Sequence, residues 1–257
     1  MKRSKAAGAS SGWRPDSYQA LNGMQRVPEP ELMDDPTQAE AYAAADFDEA
    51  HRRIVDVFDD CFPGGGIEGC VLDLGCGPGD ISFRFAARHP ACTVTGVDGS
   101  AAMIRLANRR RAVDPAGDRV AFIEGCIPGA PIPEVRYTAI ISNSLLHHLH
   151  RPEVLWDTIA AHAGTDTRIY VVDLRRPQTT GAARRLVEEY AAGEPDILRR
   201  DFYNSLCAAF TPREVSAQLA AAGLAGLSVE EISDRHLVIC GTLSQDASGS
   251  REAAARP

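Results

Sequence analysis

A short apolar run that ends in three alternating glycines constrains this chain more than any other feature. Residues 71–80 read Val-Leu-Asp-Leu-Gly-Cys-Gly-Pro-Gly-Asp. The apolar residues suit a buried parallel strand, and the glycines allow positive φ angles and a close approach of the backbone to a ligand. Helical spacing resumes at Ile81, Phe85 and Ala86. The segment therefore predicts a strand that turns into a helix around a small molecule, although tight turns without function also collect glycine.

A second apolar run ends in an acid at the spacing that nucleotide-binding folds use. Residues 94–98 read Val-Thr-Gly-Val-Asp. In such folds a carboxylate about 20 residues after the glycine loop accepts hydrogen bonds from both ribose hydroxyls. The two linked features favour a cofactor site over an isolated turn.

Residues 71–173 resemble the class I S-adenosylmethionine (SAM)-dependent methyltransferases. The family pattern D/E-x-G-x-G-x-G is met by residues 73–79, the acid after the next strand by Asp98, and the segment after the fourth strand by residues 141–149. A nicotinamide-binding loop, G-x-G-x-x-G, would instead place its third glycine at position 80, where this chain has Asp80. The resemblance therefore implies SAM, with S-adenosylhomocysteine (SAH) as the product, rather than NAD.

The resemblance also implies which residues bind the cofactor. The glycine loop would hold the amino and carboxylate end of SAM, Asp73 would fix the loop or accept from the ammonium group, and Asp98 would bind the ribose. Relatives often have an acid after the third strand for the adenine amino group, where this chain has Cys126, so backbone groups are expected to serve instead. Met103 is expected against the adenine or in the core. The implied cofactor residues are Asp73, Gly75, Cys76, Gly77, Asp98, Gly99, Met103, Gly125, Cys126, Ile127, Ser142 and Asn143.

Two adjacent histidines follow the fourth predicted strand and are the candidate catalytic residues. His147 or His148 would remove a proton from the incoming nucleophile, because the pKa of histidine lies near neutrality. The alternative is a histidine at a helix start that bonds to the backbone. Together with His150 they lack the i, i+4 pairing or the completing carboxylate of a metal site, so no metal is predicted.

The segment after the fifth predicted strand breaks the alternation of strands and helices. Residues 177–210 are interpreted as a helical lid insertion at the carboxyl edge of the sheet, where it would cover the substrate. An extra pair of structural helices is the alternative. Candidate residues for binding the methyl acceptor lie here and just before it: Asp173, Arg175, Tyr190, Tyr203 and Asn204.

The order of elements predicts an α/β fold, a Rossmann-like three-layer sandwich with a mostly parallel sheet. Strands are expected near 70–74, 93–97, 119–124, 137–142 and 168–173, with helices between them. Strands near 227–232 and 236–241 are expected to form an antiparallel edge hairpin with Asp234 at the turn, after a helix that starts at the capping box of residues 211–214. The predicted organisation is a flexible tail at 1–27, one methyltransferase domain at 28–243 and a flexible tail at 244–257.

Composition narrows the possible partners. The formal charge of −8 disfavours nucleic acid and anionic membranes, and no apolar run approaches the length of a membrane span. Seven cysteines without C-x-x-C pairs suit a reducing cytoplasm. The acceptor is therefore expected to be a small molecule.

Two other functions fit part of this pattern. A SAM-binding protein without catalysis, or with a regulatory role, would keep the cofactor residues and lack a competent acceptor site. An NAD-dependent oxidoreductase of similar fold would also use Asp98, but it needs a different glycine spacing and a catalytic arrangement that is not evident.

Overall fold

A seven-stranded sheet forms the centre of the molecule. The computed structural model describes residues 23–30, 32–45 and 47–243. The strands are β1 (Gly69–Leu74), β2 (Cys92–Asp98), β3 (Val120–Glu124), β4 (Tyr137–Asn143), β5 (Ala163–Leu174), β6 (Ser228–Glu231) and β7 (His236–Thr242). Their order across the sheet is β3-β2-β1-β4-β5-β7-β6.

Eight α-helices surround the sheet in the described part of the chain. They are α1 (Pro36–Ala44), α2 (Asp48–Cys61), α3 (Asp80–Arg88), α4 (Ala101–Arg111), α5 (Glu153–His162), α6 (Thr180–Tyr190), α7 (Asp196–Ala208) and α8 (Pro212–Ala221). The predicted capping box at the start of α8 is confirmed, because Thr211 and Glu214 satisfy each other's backbone amides. None of the described helices has the length and apolarity needed to cross a membrane.

The sheet is buried on both faces, which explains its apolar strands. On one face Val71 packs in a cluster with Phe58 of α2 and Phe85 of α3. On the other face Leu72 packs in a cluster with Trp156 of α5. Residues that alternate along a strand thus enter opposite cores, and the predicted three-layer α/β architecture is confirmed.

The C-terminal part of the chain adds antiparallel pairing to the sheet. Strands β1 to β5 pair in parallel, whereas β7 pairs antiparallel with both β5 and β6. The predicted hairpin is therefore confirmed, with Asp234 in its turn. Strand β7 lies inside the sheet, and β6 forms the edge.

Ahead of the sheet the chain forms two helices and an extended segment. Two helices, α1 and α2, occupy residues 36–61, and residues 23–30 and 32–35 form no helix or strand. We call these latter residues the strap. Its first part bonds to the insertion, since the amide of Met24 donates to the Gln178 carbonyl at 3.0 Å and that of Val27 to the Cys207 carbonyl at 3.0 Å. The rest of the two predicted tails, residues 1–22 and 244–257, lies outside the described residues.

Candidate functional site

The glycine loop after β1 forms one side of the candidate site. Gly75, Gly77 and Gly79 have φ angles of 74°, 52° and 85°, a region that glycine adopts without strain. The amides of Gly75 and Cys76 both donate to the Val97 carbonyl, at 2.8 and 3.0 Å, which ties the loop to β2. A Cβ atom on Gly77 would meet no atom within 4 Å. At Gly77 the loop therefore presents bare backbone to open space, whereas a Cβ on Gly75 or Gly79 would meet Leu145 at 2.8 Å or Phe122 at 2.6 Å.

Asp98, at the end of β2, connects the glycine loop with the start of α4. Its Oδ2 accepts from the Gly77 amide and its Oδ1 from the Ser100 amide, both at 2.8 Å. Each carboxylate oxygen keeps a second lone pair for another donor. Burial raises the pKa of Asp98. The half-buried carboxylate is thus held rigidly and can still accept two hydroxyl groups.

Asp73 lies beneath the loop and is 1% exposed. Its Oδ2 accepts a hydrogen bond of 2.5 Å from the Ser82 hydroxyl of α3. Burial, with a smaller contribution from the charge of Asp98, raises the pKa of Asp73 to about 7. The contact joins β1 to α3 across the loop.

The loops after β2 and β3 meet beside Asp98. A Cβ atom on Gly99 would lie 2.7 Å from Leu32 of the strap and 2.9 Å from the Cys126 sulfur. The amide of Gly125 donates to the Asp98 backbone carbonyl at 2.9 Å. Ile127 packs against the core cluster that contains Leu72. These residues surround the place where the resemblance puts the adenine.

Met103 of α4 is buried in a small cluster. It is 5% exposed and packs with Ala39 and Ala102, and Met33 and Tyr42 cover that cluster. Tyr42 lies close enough to Asp80 and Asp98 that their charges, added to burial, raise its pKa to about 12. A cavity of about 380 Å³ opens beside Tyr42 and is lined by Pro78, Asp80 and Arg110 among others.

The end of β4 lies between the end of β1 and the two histidines. The Ser142 hydroxyl donates to the Leu74 carbonyl at 2.8 Å, which locks the ends of β1 and β4 together. Asn143 is the last residue of β4 and is half-buried. Ser144 follows with a φ angle of 56°, and the chain turns there toward His147.

His147 and Asp173 form a buried pair between the ends of β4 and β5. The His147 Nδ1 lies 2.5 Å from Asp173 Oδ1, and the two side chains are 3% and 1% exposed. Asp173 also accepts from the amides of Leu146 at 2.8 Å and Leu174 at 2.7 Å. Burial opposes protonation, but the Asp173 charge raises the pKa of His147. Asp173, predicted to bind the acceptor, thus contacts a predicted catalytic residue.

His148 lies next to His147, with a ring-centroid distance of 4.2 Å. Its buried Nδ1 has no hydrogen-bond partner. Burial, together with the neighbouring His147, lowers the pKa of His148 to about 3. This histidine is held neutral.

Glu29 of the strap reaches both histidines. Its Oε1 lies 3.6 Å from His147 Nε2 and 3.5 Å from His148 Nδ1, and it accepts a 2.9 Å hydrogen bond from the Ser205 hydroxyl of α7. Burial raises the pKa of Glu29. Glu29 could not be predicted from the sequence, because the strap has no periodicity and nothing near Glu29 in the sequence signals its contact with the distant histidines.

Arg26 binds the strap to the loop that contains the two histidines. Its guanidinium donates to the backbone carbonyls of His147, Leu149 and Ala208 at 2.9, 2.9 and 2.5 Å. It also lies over the Phe210 ring, 4.1 Å from the centroid. Arg26 falls within the segment predicted as a tail, so the sequence analysis gave it no role.

The other predicted acceptor residues are not gathered around His147. Arg175 contacts Glu231 at 3.1 Å, and Tyr190 donates to Asp234 at 2.9 Å, both on the β6–β7 hairpin. Tyr203 packs in the core of the insertion, and Asn204 is exposed. In the described insertion the polar group that reaches the histidine cluster is Ser205.

Strand order, glycine loop and terminal acid together define a Rossmann-like fold, in which nucleotide-type cofactors bind at the carboxyl ends of the strands. A family model described as "Methyltransferase domain" matches residues 71–162, which include the loop, Asp98 and both histidines. Over these residues the chain is similar to methyltransferases.

Individual relatives agree with this family. An uncharacterised methyltransferase of Mycobacterium tuberculosis strain H37Rv is 39% identical over 80 residues, 31% of this chain and 38% of that protein. Trans-aconitate 2-methyltransferase of Azoarcus sp. is 35% identical over 85 residues, 33% of each chain. The chain thus matches only about two-fifths of the length of the first of these relatives.

Solved structures share the fold over more of the chain. The plantazolicin methyltransferase BpumL, in complex with a monoazolic desmethylPZN analogue and SAH, superposes with a TM-score of 0.61 at 16% identity, covering 81% of this chain and 91% of that one. The DhpI–SAM–HEP complex gives a TM-score of 0.54 at 22% identity over 80% of this chain and 92% of that one.

Proposed function

We propose that this protein transfers the methyl group of SAM to a small-molecule acceptor by in-line displacement. The observation that carries the proposal is the joint position of two sites at one edge of the sheet. Asp98 and the bare Gly77 backbone lie at the end of β1 and β2, and the His147–Asp173 pair lies at the end of β4 and β5. A cofactor on the first site would direct its sulfonium toward the second.

The cofactor contacts follow from the geometry of the loops. Asp98 accepts the ribose hydroxyls with its two free lone pairs, and Gly77 leaves room for the methionine part of SAM. Backbone groups of residues 125–127 surround the adenine, with Met103 of α4 against it. Asp73 holds the loop through Ser82, and Ser142 and Asn143 line the passage toward the acceptor.

The acceptor lies beneath the strap, beside the histidines. SAM already activates the methyl group, so the protein must align the nucleophile, exclude water and favour its deprotonated form. We assign this activation to His147 and His148, with Asp173 orienting His147. The strap contacts Gln178 at one end and Gly99 at the other, and thus covers the crevice at the carboxyl ends of the strands. A covered crevice favours a small acceptor over a large one. Relatives named as trans-aconitate methyltransferases act, by name, on a small acid.

The cytoplasm is the compartment that suits this chain. All seven cysteines lie in the described residues and carry free thiols. A reducing environment keeps such thiols unpaired. We infer no nucleic-acid partner, since the formal charge is −8.

Calorimetric titration with SAH, beside NADH under the same conditions, tests the cofactor. Micromolar binding of SAH alone supports the proposal, and a preference for NADH overturns it. A screen of small acceptors with labelled SAM then tests turnover. SAH binding without transfer to any acceptor would favour a SAM-binding regulatory protein.

The histidine variants test the acceptor side. His147→Ala and His148→Ala are expected to reduce turnover strongly while SAH affinity changes little, because neither ring contacts the proposed cofactor groups. His162→Ala, a half-buried histidine at the end of α5, is the matched control. If both site variants kept full activity, the histidines would have no part in activation.

A further inference from the structure

Three potential metal ligands converge where the strap meets the loop after β4. Glu29 Oε1, His147 Nε2 and His148 Nδ1 all lie within 4.8 Å of one another. The two distances from Glu29, 3.6 and 3.5 Å, are too long for hydrogen bonds. The three atoms surround a common point without bonding to each other.

Each of the two histidine rings can direct the lone pair of one nitrogen at that point. The Asp173 carboxylate accepts at His147 Nδ1, so in the neutral imidazole that binds a cation the proton sits on Nδ1 and the Nε2 lone pair faces Glu29. His148 Nδ1 is buried, has no hydrogen-bond partner and lies 3.5 Å from Glu29 Oε1. The buried Nδ1 lone pair is therefore also directed at Glu29. With both imidazoles neutral and Glu29 ionised, the forms that bind a metal, two lone pairs and a carboxylate oxygen face one another.

We propose that Glu29, His147 and His148 bind a divalent cation of the zinc type. Bonds of about 2.0–2.2 Å in a tetrahedral site separate neighbouring ligand atoms by about 3.3–3.6 Å, which matches the two distances from Glu29. Two histidines and one glutamate form the ligand set of catalytic zinc sites, which leave the fourth position open. The histidine prediction from sequence lacked a carboxylate, and the strap supplies it.

The surroundings have the features that stabilise such a site. Metal-bound histidines usually donate their other N–H group to a carboxylate or a backbone carbonyl. Asp173 takes this place beside His147, and Ser205 bonds to Glu29. Arg26 lies nearby, but its guanidinium donates to backbone carbonyls and balances only one of the two carboxylate charges.

For catalysis this inference rests on the proposed function. An acceptor hydroxyl bound at the open position loses its proton to solvent water. The oxygen lone pair then forms the bond to the methyl carbon of SAM, and the breaking S–CH₃ bond leaves its electron pair on sulfur, which gives SAH. The histidines would then activate the acceptor through the cation rather than as free bases.

Zinc binding is tested without reference to activity. Full-length protein is stripped with a chelator, dialysed and titrated with ZnCl₂ by calorimetry, and the bound metal is counted by elemental analysis. We expect one equivalent of Zn²⁺ per chain, and visible Co²⁺ bands of tetrahedral intensity when Co²⁺ replaces it. Glu29→Gln keeps the shape of the side chain and should weaken binding at least about 100-fold, as should His148→Ala, while Ser205→Ala should weaken it about 10-fold.

The control variant is His162→Ala, which should bind Zn²⁺ like the wild type. The absence of stoichiometric binding overturns the proposal, and so does binding that Glu29→Gln and His148→Ala leave unchanged, which would indicate an adventitious ion only. SAH titration of the same metal-free protein separates the two proposals. SAH binding without Zn²⁺ binding removes the metal site and leaves the methyltransferase function standing.

Discussion

The carboxylate of Asp98 accepts a 2.8 Å hydrogen bond from the backbone amide of Gly77. One acid therefore sets the shape of the glycine loop and, in the proposed function, binds the ribose of the cofactor. A contact that joins two consecutive βα loops makes the cofactor site sensitive to changes on either side.

Asp98→Ala should weaken SAH binding by about 1.5–3 kcal/mol, the value of hydrogen bonds to a charged group. That loss corresponds to roughly 10- to 150-fold in Kd, and calorimetry measures it directly. Asp98→Asn should lose less SAH affinity than Asp98→Ala, because its amide keeps one acceptor oxygen. Unchanged affinity in the alanine variant would remove Asp98 from the cofactor site.

Gly77→Ala tests whether the open space over the loop belongs to the cofactor. Gly77 and Gly223 have φ angles of 52° and 75°, and a Cβ on either would meet no atom within 4 Å. Both alanine variants should lose about 1–2 kcal/mol of stability through backbone strain alone. Only Gly77→Ala should also weaken SAH binding. Equal SAH affinity in the two variants would place the cofactor elsewhere.

Asp80→Asn should reduce stability at neutral pH by about 1–3 kcal/mol, because Asp80 accepts from His51, Arg84 and Arg110. Burial opposes ionisation, but these bonds lower the pKa of Asp80. Its stabilisation is therefore present above the ordinary pKa of 3.8 and is lost as the pH falls through the lowered value. Urea unfolding at several pH values measures this effect.

The difference between Asp80→Asn and the wild type should shrink as the solution becomes more acidic than pH 3.8. Asp196→Asn is the control, since that side chain is fully exposed and faces Arg199 at 3.6 Å. A constant difference at all pH values would contradict the role of charge.

Asp73→Asn should have the opposite pH dependence. The pKa of Asp73 is raised from 3.8 to about 7, so the folded state binds this proton more tightly than the unfolded chain. The stability of the wild type should therefore fall as the pH rises between these values. The variant lacks this proton and still accepts from Ser82. It should be the more stable protein above pH 7, by up to about 4 kcal/mol, and the gap should close toward pH 4.

Chemical denaturation of Asp73→Asn and wild type at pH 4, 6 and 8 checks this sign. Ser82→Ala serves as the companion variant, because it removes the hydrogen bond and keeps the carboxyl. If Asp73→Asn were less stable than wild type at pH 8, the carboxylate would be stabilising rather than costly.

The sheet and the cofactor loop could be predicted from sequence because their signals are local. An apolar run followed by glycines shows both the strand and the turn, and Asp98 follows at a fixed spacing. Strand β5 shows the limit of such signals. It begins at Ala163, whereas the sequence predicts a start near 168. The first residues of the strand were not predicted because residues 163–167 are small or polar and carry no apolar alternation.

The acceptor side could be predicted only in part. His147 and His148 were proposed from the sequence because two histidines after a strand are conspicuous. Glu29 was not, because an extended strap has no periodicity, and its contacts join residues far apart in sequence. The same reason explains why Arg175 and Tyr190 were expected at the acceptor site: sequence places them after β5, whereas the hairpin residues that bind them come much later in the chain.

The position of β7 between β5 and β6 has a consequence for biosynthesis. During translation β5 emerges long before residues 236–242, and until they arrive its apolar edge has no partner. Unpaired strand edges pair readily with other chains. A nascent chain stalled before β7 should therefore aggregate or require a chaperone. A separate peptide of residues 236–242, added in trans, should increase the yield of soluble chains that are truncated before residue 236.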